Sequence, residues 1–398
     1  MADAIADRTT KHETMTLNMG PQHPSTHGVL RLVLELDGET VLRCEPVIGY
    51  LHTGIEKSCE DKPYFKVVPL TDRMDYLAPM SNNLVYALAV EKLLELEVPP
   101  KAQWVRVMMT ELTRISSHLV WLGTHAMDLG AMTVFLYCFR ERERINTLYE
   151  LLSGVRMMSS YFRIGGLADD MPPGFEGEVR SLLDDLPARI DDYEQLLTTN
   201  EIFLERTRGV GVLTLQDALD MGVSGPSLRA SGVAWDLRKA HPYESYDKFA
   251  FEVPTRQDGD VYSRYLVRVQ EMRESTKIAR QALDGMPSGP WKADAPGYVP
   301  PDKKLLETSM EALIYHFKYF TEGFSPPAGD VYQAIESPKG EIGCLLSSDG
   351  SPKPRRVHFR GPSFINLQAL PKFVEGRLLA DVVACIGSID IVLGEVDR

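Results

Sequence analysis

Residues 20–43, GPQHPSTHGVLRLVLELDGETVLR, settle the fold class. The first part is a loop punctuated by Gly20, Pro21, Pro24 and Gly28, with His23 and His27 inside it. A strand-like run, Val29 to Leu36, follows directly. Asp37-Gly38 is a tight-turn signal between Leu30–Leu36 and Val41–Arg43, which predicts an antiparallel hairpin. Titratable rings held on rigid backbone beside a strand are a common way to present proton-transfer groups to a ligand.

Around this hairpin, residues 15–70 read as strands and residues 1–14 as a disordered lead. From about Ser81 the apolar period becomes helical, with Ser81, Asn82 or Asn83 as cap and Leu84, Leu88, Leu93 and Leu94 among the apolar positions. Pro99-Pro100 breaks this helix and opens a longer one over 101–129. Further helical patterns cover 133–160, 175–204, 260–284 and 303–320, the last marked by Leu306, Met310, Leu313, Ile314 and Phe317. Gly285 to Pro301 is a connector rich in Pro and Gly. After Pro326 the pattern returns to strands and turns, Asp349-Gly350 among them. The expected architecture is α+β: a lead over 1–14, a small N-terminal α/β part with the histidine loop over 15–80, a helical bundle over 81–322 and a mixed C-terminal part over 323–398.

The chain has 398 residues, 44% hydrophobic and 25% charged, which is ordinary for a globular protein with room for more than one subdomain. Its formal net charge of -13 argues against nucleic acid as a partner and against direct adsorption on anionic lipid. No apolar run reaches the ~18 residues that span a bilayer. The polar N-terminus has no signal-peptide core. The chain therefore reads as cytoplasmic, with any membrane contact made through a partner. Cys44, Cys59, Cys138, Cys344 and Cys385 form no CxxC pair, so free thiols in a reducing compartment are expected, with no zinc or iron–sulfur site of the chain's own.

The long helix carries a polar stripe. Glu111, Arg114, His118, His125 and Asp128 share one face at ~100° per residue. Such a stripe is a solvated side, an interhelical polar seam, or the wall of a buried site. In the last case a carboxylate beside a histidine favours the charged ring and fixes its orientation. Arg140 to Arg144 read as a solvated face. Val210-Gly211 and Gly165-Gly166 fit neither a GxGxxG loop nor a P-loop, so the chain shows no nucleotide signature.

Ten ordered segments together resemble one family: GPQHPSTHGVLR (20–31), GYLHTGIEK (49–57), DRMDY (72–76), YALAVEKLL (86–94), FRERER (139–144), YFRIGG (161–166), LRASG (228–232), DLRK (236–239), LETSMEALIYHF (306–317) and GEVDR (394–398). They are similar to the D subunit of the proton-pumping NADH:quinone oxidoreductase, respiratory complex I. The resemblance runs from about residue 15 to the last residue. It implies a fold like the large subunit of nickel–iron hydrogenases, to which that family is related.

Hydrogenases hold their metals with two CxxC pairs. In the corresponding registers this chain has Asp75 and Ala78 after Arg73, and Val392 and Glu395 after Asp390. Carboxylate and aliphatic groups cannot replace a thiolate cage for nickel and iron, so a hydrogenase activity and a metal site are excluded on chemistry.

The resemblance implies instead a translocase component that forms the quinone-reduction chamber with the complex's B subunit, taking electrons from that partner's terminal iron–sulfur cluster. The headgroup ligands it implies are His27 and Tyr76, with Asp128 as the carboxylate partner of His27 and His23 nearby as a less direct quinone contact. It further implies contacts with the B, C, H and I subunits and a peripheral place on the cytoplasmic side of the bacterial inner membrane. NAD and the iron–sulfur clusters would be carried by partner subunits, with ubiquinone or menaquinone as substrate and no cofactor bound by this chain alone. An equivalent subunit of a reductase with another electron-input module, or an inert scaffold, are the competing expectations. Two departures stand out: Thr53 replaces an arginine of mitochondrial members, and Met158 replaces a histidine that many members carry near the terminal cluster.

Overall fold

The computed structural model describes residues 14–398, so the lead expected over 1–14 lies, all but Thr14, outside the described residues. The N-terminal sheet has the order β1-β2-β3, from Met15–Met19 (β1), Arg31–Asp37 (β2) and Thr40–Val47 (β3). The hairpin turns at Asp37-Gly38 as expected, with Asp37 facing Thr40. Leu32, Leu34 and Leu36 point inward at every second residue of β2.

Strand structure stops at Val47. Ile55–Glu60 (α1) and Tyr64–Thr71 (α2) are helices, which corrects the expectation of strands to residue 70. The Val67-Val68 pair suggests a strand, but Tyr64, Val67, Val68 and Thr71 are all buried and their three- and four-residue spacing is one helix face. The next helix, Pro79–Leu94 (α3), starts at its proline. Ser81, Asn82 and Asn83 therefore lie inside it rather than capping it. Asn82 Nδ2 donates to the Asp75 carbonyl at 3.0 Å and Asn83 Nδ2 to the Val68 carbonyl at 3.2 Å.

The bundle is built on Pro100–Asp128 (α4), which packs against Met132–Ser153 (α5) and against Val261–Asp284, the eleventh helix. Helix α5 ends earlier than expected because Gly154 turns left-handed at φ 74°. A two-residue ribbon, Phe162–Arg163 (β4) with Gly166–Leu167 (β5), leads to Phe175–Leu197 (α6) and Glu201–Thr207 (α7). The single helix expected over 175–204 is thus split, because Asn200 caps a new start by accepting from the Phe203 N–H at 3.1 Å. Short helices Leu215–Asp220 (α8), Pro226–Ala230 (α9) and Leu237–Ala240 (α10) precede Val261–Asp284 (α11), which Asp260 caps. The expected connector over 285–301 carries no helix. A 3-10 turn at Lys303–Glu307 and the helix Met310–Thr321 (α12) share the segment expected as one helix, since Ser309 caps the second.

A second antiparallel sheet, Gly329–Ser337 (β6), Gly340–Ser348 (β7) and Arg356–Arg360 (β8), lies against α3. Four short helices follow: Pro362–Gln368 (α13), Leu370–Val374 (α14), Leu379–Ile389 (α15) and Leu393–Asp397 (α16). One apolar core fills the bundle and the second sheet. Another joins the N-terminal sheet to the C-terminal helices, with Leu30, Leu32 and Leu34 packed in the same cluster as Ile386, Leu393 and Val396. All five cysteines are buried and unpaired, and burial pushes the Cys44, Cys59 and Cys385 thiols up to about 12. Among the described residues no helix is long and apolar enough to cross a membrane. The run from Arg140 to Arg144 is not wholly solvated: Glu141 is buried and paired with Arg140 and Arg144.

Candidate functional site

The histidine loop is fixed by short-range bonds. The Thr26 hydroxyl donates to the His23 carbonyl at 2.7 Å, and His23 bridges to Gly28. His27 takes a left-handed φ of 50°, strained for a residue with a Cβ. Gly28 follows at φ 121° and lies close enough to α16 that a Cβ there would stand 3.3 Å from Leu393. This path turns the His27 ring to the C-terminal end of α4, where Nε2 lies 2.9 Å from Asp128 Oδ2. The two side chains are 15% and 9% exposed, so the pair is sheltered without being sealed.

Tyr76 lies in the turn between α2 and α3. Asp75 shapes that turn: its Oδ1 accepts from the Leu77 N–H at 3.1 Å and its carbonyl from the Ala78 N–H at 3.0 Å. Helix α16 packs on the same turn. A Cβ on Gly394 would come within 2.5 Å of the Met74 carbonyl and 2.8 Å of that of Arg73, so only glycine fits. The two segments compared with the hydrogenase metal loops are therefore in direct backbone contact.

Between them lies a buried charged cluster. Lys339, in the β6–β7 turn, sits 3.1 Å from Asp75 Oδ2 and 3.7 Å from Asp390 Oδ2, and donates to Ser117 Oγ of α4 at 2.9 Å. Asp390 ends α15 in a left-handed conformation at φ 58°. Burial raises the Asp390 carboxyl, and Lys339 opposes the rise. Burial, then the Asp75 charge, pushes Glu395 up to about 7. Burial works against the Lys339 ammonium, yet Asp390 and Asp75 together hold it above its ordinary value. Burial and the Asp75 charge raise the Tyr76 phenol. His27 and Tyr76 are both within electrostatic reach of Asp390.

The GEVDR segment supplies three separate anchors. Glu395 joins the cluster. Asp397 accepts from the Gly49 and Leu51 N–H groups at 2.9 and 2.6 Å, holding the GYLHTG loop. Arg398 pairs with Glu56 at 3.0 Å.

From Glu111 to His125 the stripe on α4 is buried within the bundle, and only Asp128, at its end, is partly exposed and meets the loop. Glu111 accepts from Arg238 at 3.0 Å, Tyr246 at 2.6 Å and Ser275 at 2.6 Å. His118 Nε2 lies 2.9 Å from Glu271, which pairs with Arg229 at 2.6 Å; Arg229 also pairs with Glu336 at 2.7 Å. Burial lowers His118 to about 4, so the ring is neutral near pH 7. His125 is stacked on Trp121, and burial lowers it to about 3.

The structure thus joins His27 to Asp128 and sets Tyr76 beside the cluster that His27 also faces. His23 is an exposed loop member. Asp75 and Glu395 stand out in the sequence only as places where thiolates are missing. No sequence signal marks Lys339, since Pro338-Lys339-Gly340 reads as an exposed turn. A cleft of about 580 Å³ between Phe65, Arg163, Trp291 and Tyr319 lies elsewhere and touches none of these groups.

Architecture and site define a helix-rich α+β protein in which titratable groups, rather than thiolates, gather where two distant segments meet. Residues 128–398 match the family described as the 49 kDa subunit of respiratory-chain NADH dehydrogenase. Over 100% of its length the chain is 63% identical to the NADH-quinone oxidoreductase D 1 subunit of Solibacter usitatus, covering 98% of that protein. It is 63% identical to the D 2 subunit of Koribacter versatilis over 97% of this chain and 96% of that one. Against the D subunit of Geotalea uraniireducens the identity is 58%, over 97% and 99% of the two chains. The chain belongs to the D-subunit family of NADH-quinone oxidoreductase, and so to a multisubunit oxidoreductase.

Proposed function

We propose that this chain forms one wall of the quinone-reduction chamber, closed by the iron–sulfur B subunit, with the C, H and I subunits as further neighbours. The observation that carries this reading is the 2.9 Å contact of His27 with Asp128, next to the cluster that Tyr76 borders. Quinone reduction needs two electrons and two protons, delivered to oxygens at opposite ends of a ring. The Tyr76 phenol donates a hydrogen bond and then a proton to one oxygen, and the His27 imidazolium does so to the other. Asp128 orients the ring and balances its charge. Local donors avoid a quinol anion in a poorly solvated cavity, which is costly. Electrons arrive from the partner's terminal iron–sulfur cluster, while NAD is bound elsewhere in the complex. His23 shapes the loop and borders the headgroup. The charge state of the His27–Asp128 pair would report reduction toward the membrane subunits, from a peripheral position on the cytoplasmic face.

The test is quinone reduction by the assembled complex carrying Tyr76→Phe or His27→Ala. Loss of a positioned proton donor lowers the rate by roughly 10²-fold or more. An assembled complex that keeps its native rate with both changes overturns the reading and leaves an inert scaffold.

A further inference from the structure

We propose that the buried Asp75–Lys339–Asp390–Glu395 cluster stores a proton and returns it to Tyr76 after the phenol has protonated the quinone. The proposal rests on Tyr76 as a donor. Its own basis is charge and position. Two carboxylates lie against one ammonium and a third acts on it through space, and all four groups are buried. Fully ionised, they would leave two uncompensated negative charges in a dry interior, which is expensive. One held proton halves that excess.

The groups facing the cluster from each packed element do not remove the need. Helix α4 offers the Ser117 hydroxyl, already bonded to Lys339. Helix α13 offers the Ser363 N–H, which donates to Glu395 Oε2 at 3.1 Å. Helix α11 offers Arg268, whose guanidinium is bonded to the Ser388 and Ile389 carbonyls and reaches Asp390 only through space. The histidine loop offers His27, already paired with Asp128. The 72–78 turn adds Tyr76, and the end of α16 adds Arg398, whose Nη1 donates to the Glu395 carbonyl at 3.2 Å while its Nε pairs with Glu56 at 3.0 Å.

The proton has one natural place. Lys339 lies against Asp75 and Asp390, so an ammonium already stands beside each of them. Glu395 lies outside direct pairing, and its Oε1 has no hydrogen-bond partner among the described residues. A carboxylic acid there leaves one excess negative charge in the cluster instead of two. Its affinity for the proton is near neutral, below that of the Tyr76 phenol, so transfer toward a tyrosinate is downhill. The step balances. The Tyr76 O–H bond breaks and its proton goes to the quinone oxygen. The tyrosinate takes a proton from the cluster, and the resulting carboxylate is refilled from water between turnovers.

Two measurements on the assembled complex test this. Infrared difference spectra of the unaltered complex from about pH 6 to about pH 8 should show a buried carboxylic C=O band that disappears as the pH rises and is absent in Glu395→Gln. Quinone reduction should decline above about pH 7 in the unaltered complex and be slower, by roughly tenfold, and nearly pH-independent there in Glu395→Gln, with KM for the quinone unchanged. Glu395→Asp, which keeps an acid, should restore both the band and the pH limb. The proposal is overturned if no protonated carboxyl titrates in the unaltered complex, or if Glu395→Gln keeps the native rate and limb. A native rate in Tyr76→Phe would instead overturn the donor assignment while leaving the infrared band in place.

Discussion

Asp128→Asn replaces the charged acceptor that lies 2.9 Å from His27 with a neutral amide. Hydrogen bonds to charged groups contribute about 1.5–3 kcal/mol, so quinone reduction should fall roughly tenfold to a hundredfold while the complex still assembles. Steady-state assays on membranes with matched subunit content would check this. His27, Asp128 and Tyr76 are legible in the sequence because a motif or a helical period carries each of them. Lys339 is not. A lysine between proline and glycine has every local mark of solvent exposure, and it is buried only because Asp75, Asp390 and Ser117 converge on it from three distant segments.

Among the elements, α16 makes the most specific contact. Gly394→Ala would drive a methyl group into the Met74 and Arg73 carbonyls and separate the C-terminal helix from the tyrosine turn. The expected result is a loss of about 1–3 kcal/mol and a weakened chain, visible as reduced complex content on native gels. The seam on α4 is equally unforgiving. Glu271→Leu would leave the buried Arg229 with one carboxylate fewer and His118 without its partner, at a cost of about 3–5 kcal/mol. Thermal unfolding of the purified protein would measure it. The stripe is legible from its period, but not its burial: side-chain type alone suggests solvent, whereas arginines on α9 and α10 supply the countercharges. Helix α2 reads as a strand for the converse reason, since β-branched residues there pack on a helical face.

For the molecule as a whole, the buried neutral histidines set an acid limit. An unfolded histidine takes up a proton near pH 6.5, but His118 and His125 do so in the folded chain only near 4 and 3. Below pH 6.5 the unfolded state therefore binds more protons, so stability is complete above that pH and declines as acid approaches pH 4. Glu271, held well below the usual carboxylate range by Arg229 against the effect of burial, extends the loss to lower pH. The melting temperature should fall over this window, and His125→Leu should flatten the slope whatever it does to the baseline. The α+β arrangement and the turning points at Gly38 and Gly285 are visible in the sequence, whereas the stop at Gly154 is not, because the apolar period runs on past it. The union of the two ends of the chain in one core is not, because no local signal encodes it.

That union has a consequence for how the protein is made. Asp397 bonds to Gly49 across 348 positions of sequence. During synthesis the histidine loop and the tyrosine turn emerge from the ribosome long before Asp390, Gly394 and Glu395 exist. A nascent chain thus spends most of its translation with an unfinished charged cluster and an unclosed apolar sheet, in need of shielding until the final helices arrive.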